Sequence, residues 1–192
     1  MLIHAIKALL SNRQRAWRHN LTSLAIQWHW PELRINGPCA WTVDDLNSLD
    51  LTGRIQIGAF TEIVVEAKSP YSRVAGSLRI GDCTVIGSSC NIRAGGGAIS
   101  IGRDCLIGQH VSLIGSNHQI KSGKVYWQQG WDETETGVSI GDNVWVGCGV
   151  TVLPGVKIGN NAVVGANSVV TKSIPESTIW VGNPARQVRA IK

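Results

Sequence analysis

The chain has 192 residues, enough for one domain with a substantial core and a short appendage. Only 16% of them are charged and no tract is of low complexity, which excludes a disordered chain; 22 glycines, a single phenylalanine and plentiful Ile and Val suit short strands joined by tight corners. The net charge of +5 comes without a helix-turn-helix, an RNP-type motif or a long basic run, so nucleic acid is not the expected partner, and either a solvated basic surface or a multiply phosphorylated small ligand accounts for it.

Residues 1–32 form a distinct first segment. Its opening, Met1-Leu-Ile-His-Ala-Ile-Lys-Ala-Leu-Leu10, is apolar but interrupted by His4 and Lys7. It has no preceding basic region or clear cleavage site and is too short to cross a bilayer, so a cytoplasmic chain is expected. Leu2, Ile6, Leu9 or Leu10 and Trp17 recur at roughly helical spacing, with Arg13, Arg15 and Arg18 in the second half. Such a helix over 2–18 either caps the open end of the next domain or lays a basic face on a membrane surface or an enzyme partner.

From residue 33 to 174 the pattern is all-β. Leu33-Arg-Ile-Asn, Arg54-Ile-Gln-Ile-Gly58 and Glu62-Ile-Val-Val-Glu66 read as strands of irregular first coils. A strict period follows. Ile80, Ile86 and Ile92 are spaced by six, as are Ile101, Ile107 and Leu113, after a slip of three. Ile140, Val146, Val152, Ile158, Val164 and Val170 repeat the frame, with Gly behind most of these residues and a small or branched residue four places on. A period of six cannot be an α-helix, whose faces return every 3.6 residues. It fits a short strand plus a corner, with the following glycine expected to permit the bend. Three units then make one coil, and stacked coils make a β-solenoid.

Two stretches leave the frame. Residues 115–137 form a long loop carrying His118, Tyr126, Trp127, Trp131, Asp132, Glu133 and Glu135. Residues 175–192, basic and punctuated by proline, are expected to fold back over the last coils. The five cysteines, Cys39, Cys83, Cys90, Cys105 and Cys148, include no CxxC; Cys90 and Cys105 fall at small core positions, and reduced thiols are expected rather than a zinc site or disulfides.

The stretch Gly141-Asp-Asn-Val-Trp-Val-Gly-Cys-Gly-Val-Thr-Val-Leu-Pro-Gly-Val-Lys-Ile-Gly-Asn-Asn-Ala-Val-Val-Gly-Ala-Asn-Ser-Val-Val-Thr-Lys172, with Gly182-Asn-Pro-Ala-Arg186, resembles the hexapeptide-repeat O-acetyltransferases. These include the galactoside, maltose and nodulation-factor enzymes and relatives from capsule and exopolysaccharide synthesis. The resemblance implies a left-handed parallel β-helix, acetyl-CoA as co-substrate without a metal, and a hydroxyl of a sugar or polysaccharide precursor as acceptor. It also implies a homotrimer with sites between subunits.

On that resemblance His118 is the general base, suited by an imidazole that titrates near neutrality. Transfer is direct, in a ternary complex, rather than through Cys148. Trp145, Cys148, Gly165 and Ala166 are expected along the pantetheine, and Thr171, Lys172, Arg186 and Arg189 at the adenine ribose phosphates. Asn91 either binds the acceptor or occupies a left-handed corner. An acid of the 115–137 loop either orients His118 or is solvated, and its aromatics either stack on a sugar or pack the loop. The rival readings are an amino-sugar N-acetyltransferase, a γ-type carbonic anhydrase and a non-catalytic solenoid. The histidines offered, His4, His19, His29, His110 and His118, lack the spacing of a zinc triad.

Overall fold

A computed structural model describes residues 22–192; the expected helix over 2–18, with its cap, membrane or partner role, lies outside the described residues. A helix over 22–29, α1, leads into the solenoid. It buries Ile26 fully in the core and brings Trp30 against it, so its apolar side plugs the first coil.

The chain then winds in turns of three strands. The first is β1 (Arg34–Asn36), β2 (Ala40–Val43) and β3 (Leu49–Leu51), the second β4 (Gln56–Gly58), β5 (Glu62–Glu66) and β6 (Ser77–Ile80). The third holds β7 (Val85–Ile86), β8 (Asn91–Gly95) and β9 (Ala98–Ile101), the fourth β10 (Leu106–Ile107), β11 (Ser112–Ile114) and β12 (Val138–Ile140). Next come β13 (Trp145–Val146), β14 (Thr151–Val152) and β15 (Val156–Ile158), then β16 (Val163–Val164) and β17 (Val169–Val170). The tail supplies β18 (Thr178–Val181) and β19 (Arg186–Ala190).

Every third strand pairs in parallel, which gives three faces. The first runs β1-β4-β7-β10-β13-β16-β18, the second β2-β5-β8-β11-β14-β17 and the third β3-β6-β9-β12-β15. This is the left-handed parallel β-helix that the resemblance implies. Register puts Ile57, Ile86, Ile107, Val146 and Val164 in one inward row, and Ile63, Ile92, Leu113, Val152 and Val170 in another. Each such side chain, fully buried, contributes about 1.5–3 kcal/mol. The tail does fold over the last coil. β18 extends the first face beside β16, β19 turns back antiparallel on β18, and Ala185 is buried.

The glycine that follows each Ile or Val does not make the corner, contrary to expectation. The left-handed residue comes two places later, at Cys83, Ser89, Asp104, His110, Asn143, Asn161 and Asn167, with φ between 54° and 58°. The glycine is needed because the next coil lies too close. A β-carbon on Gly87 would stand 2.7 Å from the backbone nitrogen of Gln109, and one on Gly108 equally near that of Cys148. Asn91 is likewise not a corner residue, since it begins β8 and Ser89 takes the left-handed turn.

Cys90 and Cys105 pack as expected. Both are buried, and their thiols donate to the carbonyls of Gly108 (3.2 Å) and Gly141 (3.1 Å) on the next coil. Thr84 does the same to Gly102 at 2.7 Å. Burial raises both thiol pKa values, which keeps them protonated and inert.

Candidate active site

The loop over 115–137 leaves the solenoid after β11 and returns where it left, because Gly137 donates its N–H to the carbonyl of Gly115 at 2.7 Å. Inside it the chain doubles back as a short antiparallel ladder. Gln119 N–H bonds Gly130 at 2.9 Å, Asp132 N–H bonds Asn117 at 2.8 Å, and His118 pairs with Trp131 between them. His118 is thereby presented on paired backbone, although its side chain is exposed.

A segment not singled out in the sequence braces this ladder. Residues 67–76 join β5 to β6, and the carbonyl of Tyr71 accepts from Trp131 N–H at 2.8 Å. The Tyr71 ring stacks on Trp131 with centroids 6.1 Å apart, and the indole also lies against Gly95 and Gly96. Trp131 is therefore a packing residue in this loop, edge-on to His118 at 6.4 Å. Tyr126 and Trp127, together with Ile120 and Val125, stand exposed at the loop tip.

None of the three loop acids faces His118. Glu133 accepts from Arg73 N–H (2.7 Å), the Arg73 guanidinium (2.9 Å) and the Ser72 hydroxyl (3.0 Å), and these bonds, the Arg73 backbone bond foremost, lower its pKa. Asp132 is held by the hydroxyl and N–H of Thr134, which lower its pKa too. Glu135 lies against Gly155. What His118 does meet is a carbonyl: Nδ1 stands 3.3 Å from the oxygen of Gln129. A carbonyl only accepts, so in the neutral ring this contact favours the tautomer with its hydrogen on Nδ1 and its lone pair on Nε2.

Beside His118 opens a cavity of about 290 Å³, lined by Glu66, Arg93, Ser116, Asn117 and Trp131. Arg93 points outward from β8 and pairs with Glu62 at 3.3 Å. Sequence reasoning missed Glu66, Arg93 and Gln129; no period or motif marks a residue whose relevance comes from a neighbouring coil. Asn91, two places before Arg93 on the same outward side, does not line the cavity, yet its buried Oδ1 has no hydrogen-bond partner among the described residues.

A second concavity, of about 570 Å³, runs along the first face. It collects four of the expected residues, Trp145, Cys148, Gly165 and Ala166, with Leu106 and Val163. Here the outward residues are apolar, and Leu106 and Trp145 are about half exposed (49% and 54%). The third face differs, carrying the Asp50–Arg79 ion pair and the Ser100–Ser139 hydrogen bond outward. The other four expected residues do not line the groove. Arg186 and Arg189 lie on β19, which extends the same face, whereas Thr171 and Lys172 follow β17 on the second face. All four are exposed.

Among the described residues no three His, Cys, Asp or Glu side chains come together as a metal site, and no helix is long and apolar enough to cross a membrane.

Residues 137–172 match the family model for the bacterial transferase hexapeptide (six repeats). The chain is 38% identical over 98 residues to the galactoside O-acetyltransferase of Escherichia coli, covering 48% of this chain and 44% of that one. It is 42% identical over 99 residues to a putative lipopolysaccharide biosynthesis O-acetyl transferase of the same organism, covering 48% and 50%. A crystal structure of a hexapeptide-repeat acetyltransferase from Vibrio cholerae, complexed with acetyl-coenzyme A, superposes with a TM-score of 0.52 at 36% identity, covering 60% of this chain and 61% of that one. The chain thus spans about half the length of the curated relatives it matches. By its six-residue repeat, its three-faced solenoid and these likenesses, the chain is similar in sequence and fold to hexapeptide-repeat acetyltransferases.

Proposed function

We propose that the chain is an acetyl-CoA-dependent O-acetyltransferase acting on a hydroxyl of a saccharide, with His118 as general base. The observation that carries this reading is the Nδ1 contact of His118 with the Gln129 carbonyl, which favours the tautomer with a lone pair on Nε2, in a ring that lines a polar cavity. Nε2 takes the proton of the acceptor hydroxyl as that oxygen attacks the thioester carbonyl. A backbone N–H holds the oxyanion, and the imidazolium returns its proton to the departing CoA sulfur.

The apolar groove with Trp145, Cys148, Gly165 and Ala166 suits pantetheine, and Arg186 and Arg189 on β19, at the end of the same face, suit the phosphates. The relatives' names, a galactoside and a lipopolysaccharide acetyltransferase, favour a sugar acceptor. Glu66, Arg93 and Asn117 supply hydrogen-bonding groups for its hydroxyls.

A homotrimer belongs to the same reading. Within one chain the groove lies on the first face and the His118 cavity at the far end of the second, so a neighbouring copy would bring donor and base together. The exposed tip residues Ile120, Val125, Tyr126 and Trp127 suit contact with that copy. A cytoplasmic setting accords with thiols that remain free.

The test is CoA release from acetyl-CoA with panels of hydroxyl-bearing and amine-bearing sugars, wild type against His118→Ala. Turnover confined to hydroxyl acceptors and lost in the variant is expected. Turnover with amines alone would move the assignment to N-acetylation, and equal rates in both proteins would remove the enzyme reading.

A further inference from the structure

We infer that Gln129 is a positioning residue for His118, with its buried side-chain amide holding the carbonyl that sets the histidine tautomer. The inference deepens the proposed reaction and rests on His118 being its base.

The carbonyl that faces Nδ1 has little regular structure to fix it. Gln129 follows a single 3-10 turn, Tyr126–Gln128, and its own N–H closes that turn on Tyr126 at 3.0 Å. Residues 120–128 are all exposed, so no apolar core anchors this part of the loop. Gln129 is the exception, at 5% exposure. Its Oε1 accepts from the N–H of Lys121 at 2.9 Å, and its Nε2 donates to the carbonyls of Lys124 (3.2 Å) and Lys121 (3.4 Å). One amide thus ties the outgoing and returning limbs of the excursion and uses both of its N–H groups.

The consequence for His118 follows from donor and acceptor types. With the carbonyl held, Nδ1–H is the bonded tautomer and Nε2 is the free base. With the amide removed, the backbone at 129 gains rotational freedom and Nδ1 loses its contact with the Gln129 carbonyl. Histidine then relaxes toward the Nε2–H form that unconstrained imidazole side chains favour, and the lone pair needed to accept a hydroxyl proton faces the wrong way. The carboxylates that might replace this support are engaged elsewhere: Glu133 with Arg73 and Ser72, Asp132 with Thr134.

The experiment reads the tautomer directly. Long-range ¹H–¹⁵N spectra of the labelled full chain identify the His118 ring by its loss in His118→Ala, and a pH series locates the neutral form in which the tautomer is read. Wild type is expected in the Nδ1–H form. Gln129→Met, of similar length but without hydrogen-bonding groups, is expected to shift toward Nε2–H. Its kcat should fall about tenfold or more with the KM for acetyl-CoA unchanged. Unaltered acetyl-CoA binding and an unchanged far-ultraviolet spectrum certify that the solenoid is intact.

Wild-type His118 in the Nε2–H form overturns the inference without recourse to a variant. So does a Gln129→Met protein that keeps both tautomer and kcat, or one that shifts tautomer at undiminished kcat. If instead wild type and His118→Ala turn over equally, the proposed reaction fails, and the tautomer measurement still decides what Gln129 does to His118.

Discussion

The indole of Trp131 rests against Gly96, in space that a β-carbon at position 96 would occupy. Gly96 also holds a φ of 63°, which L side chains rarely adopt. The pair Gly95-Gly96 is thus a seat on the solenoid for the ring that walls the His118 cavity. Gly96→Ala is expected to destabilise by about 1–3 kcal/mol and lower Tm by several degrees. Gly123→Ala is the control. It shares a positive φ of 73° but meets nothing within 4 Å, so its cost is about 1 kcal/mol. Thermal melts of the two variants check the difference, and equal losses would remove the seat.

Cys148 lies exposed in the apolar groove. Direct transfer needs no thiol there, so Cys148→Ala is expected to keep kcat within a fewfold. Cys148→Trp fills the groove, and calorimetric titration with CoA should show binding lost while Tm is retained. Loss of turnover in the alanine variant would instead support a covalent route.

Arg186 and Arg189 extend from β19, and their Nη1 atoms reach only nearby backbone carbonyls, of Ala185 at 2.8 Å and of Ala190 at 3.2 Å. No carboxylate among the described residues pairs with either. Replacing both by Ala should raise the KM for acetyl-CoA roughly tenfold and flatten its dependence on ionic strength, with kcat unaltered. Steady-state kinetics between low and high salt reads this.

The Glu133 carboxyl titrates below its ordinary value of 4.5 because Arg73 and Ser72 donate to its charged form. A depressed folded-state pKa means the anchoring is present above the ordinary carboxylate range and is lost as pH falls through the lowered value. Proteolysis within 115–137 should therefore quicken on acidification below about pH 4, using an acid-active protease. Glu133→Gln should show fast cleavage already at pH 6. An acid-independent rate in wild type would argue that Arg73 and Ser72 do not hold the loop.

Thr84 is buried, and its hydroxyl both donates to Gly102 at 2.7 Å and accepts from Cys105 N–H at 3.2 Å. Thr84→Val keeps the shape but leaves two backbone groups unpaired, at a cost of about 1–3 kcal/mol. Denaturant unfolding with an unchanged m-value checks it.

How much was legible in the sequence varied with the range of the interactions. The six-residue period marks the inward rows, because each Ile, Leu or Val is selected by the same local geometry of strand and corner. The first two turns carried the same three faces but were harder to read, since longer connections such as 67–76 interrupt the count. The groove residues Trp145, Cys148, Gly165 and Ala166 came from resemblance and met on one face because they occupy successive coils in register. Thr171 and Lys172 belong to another face.

The sequence by itself determined the solenoid, its inward rows, the packing of Cys90 and Cys105 and the loop that carries His118. These are consequences of spacing along the chain. Tertiary structure decided what surrounds His118: a carbonyl of Gln129 as the partner of Nδ1, and the indole of Trp131, seated on Gly96 at the wall of the cavity. It also decided why glycine follows core residues such as Ile86 and Ile107, which is the closeness of the next coil rather than the bend. Contacts between residues far apart in the chain have no period to betray them. They arise when stacked coils, some 18 residues to a turn where uninterrupted, bring Glu66, Gly95 and Ser116 to one corner.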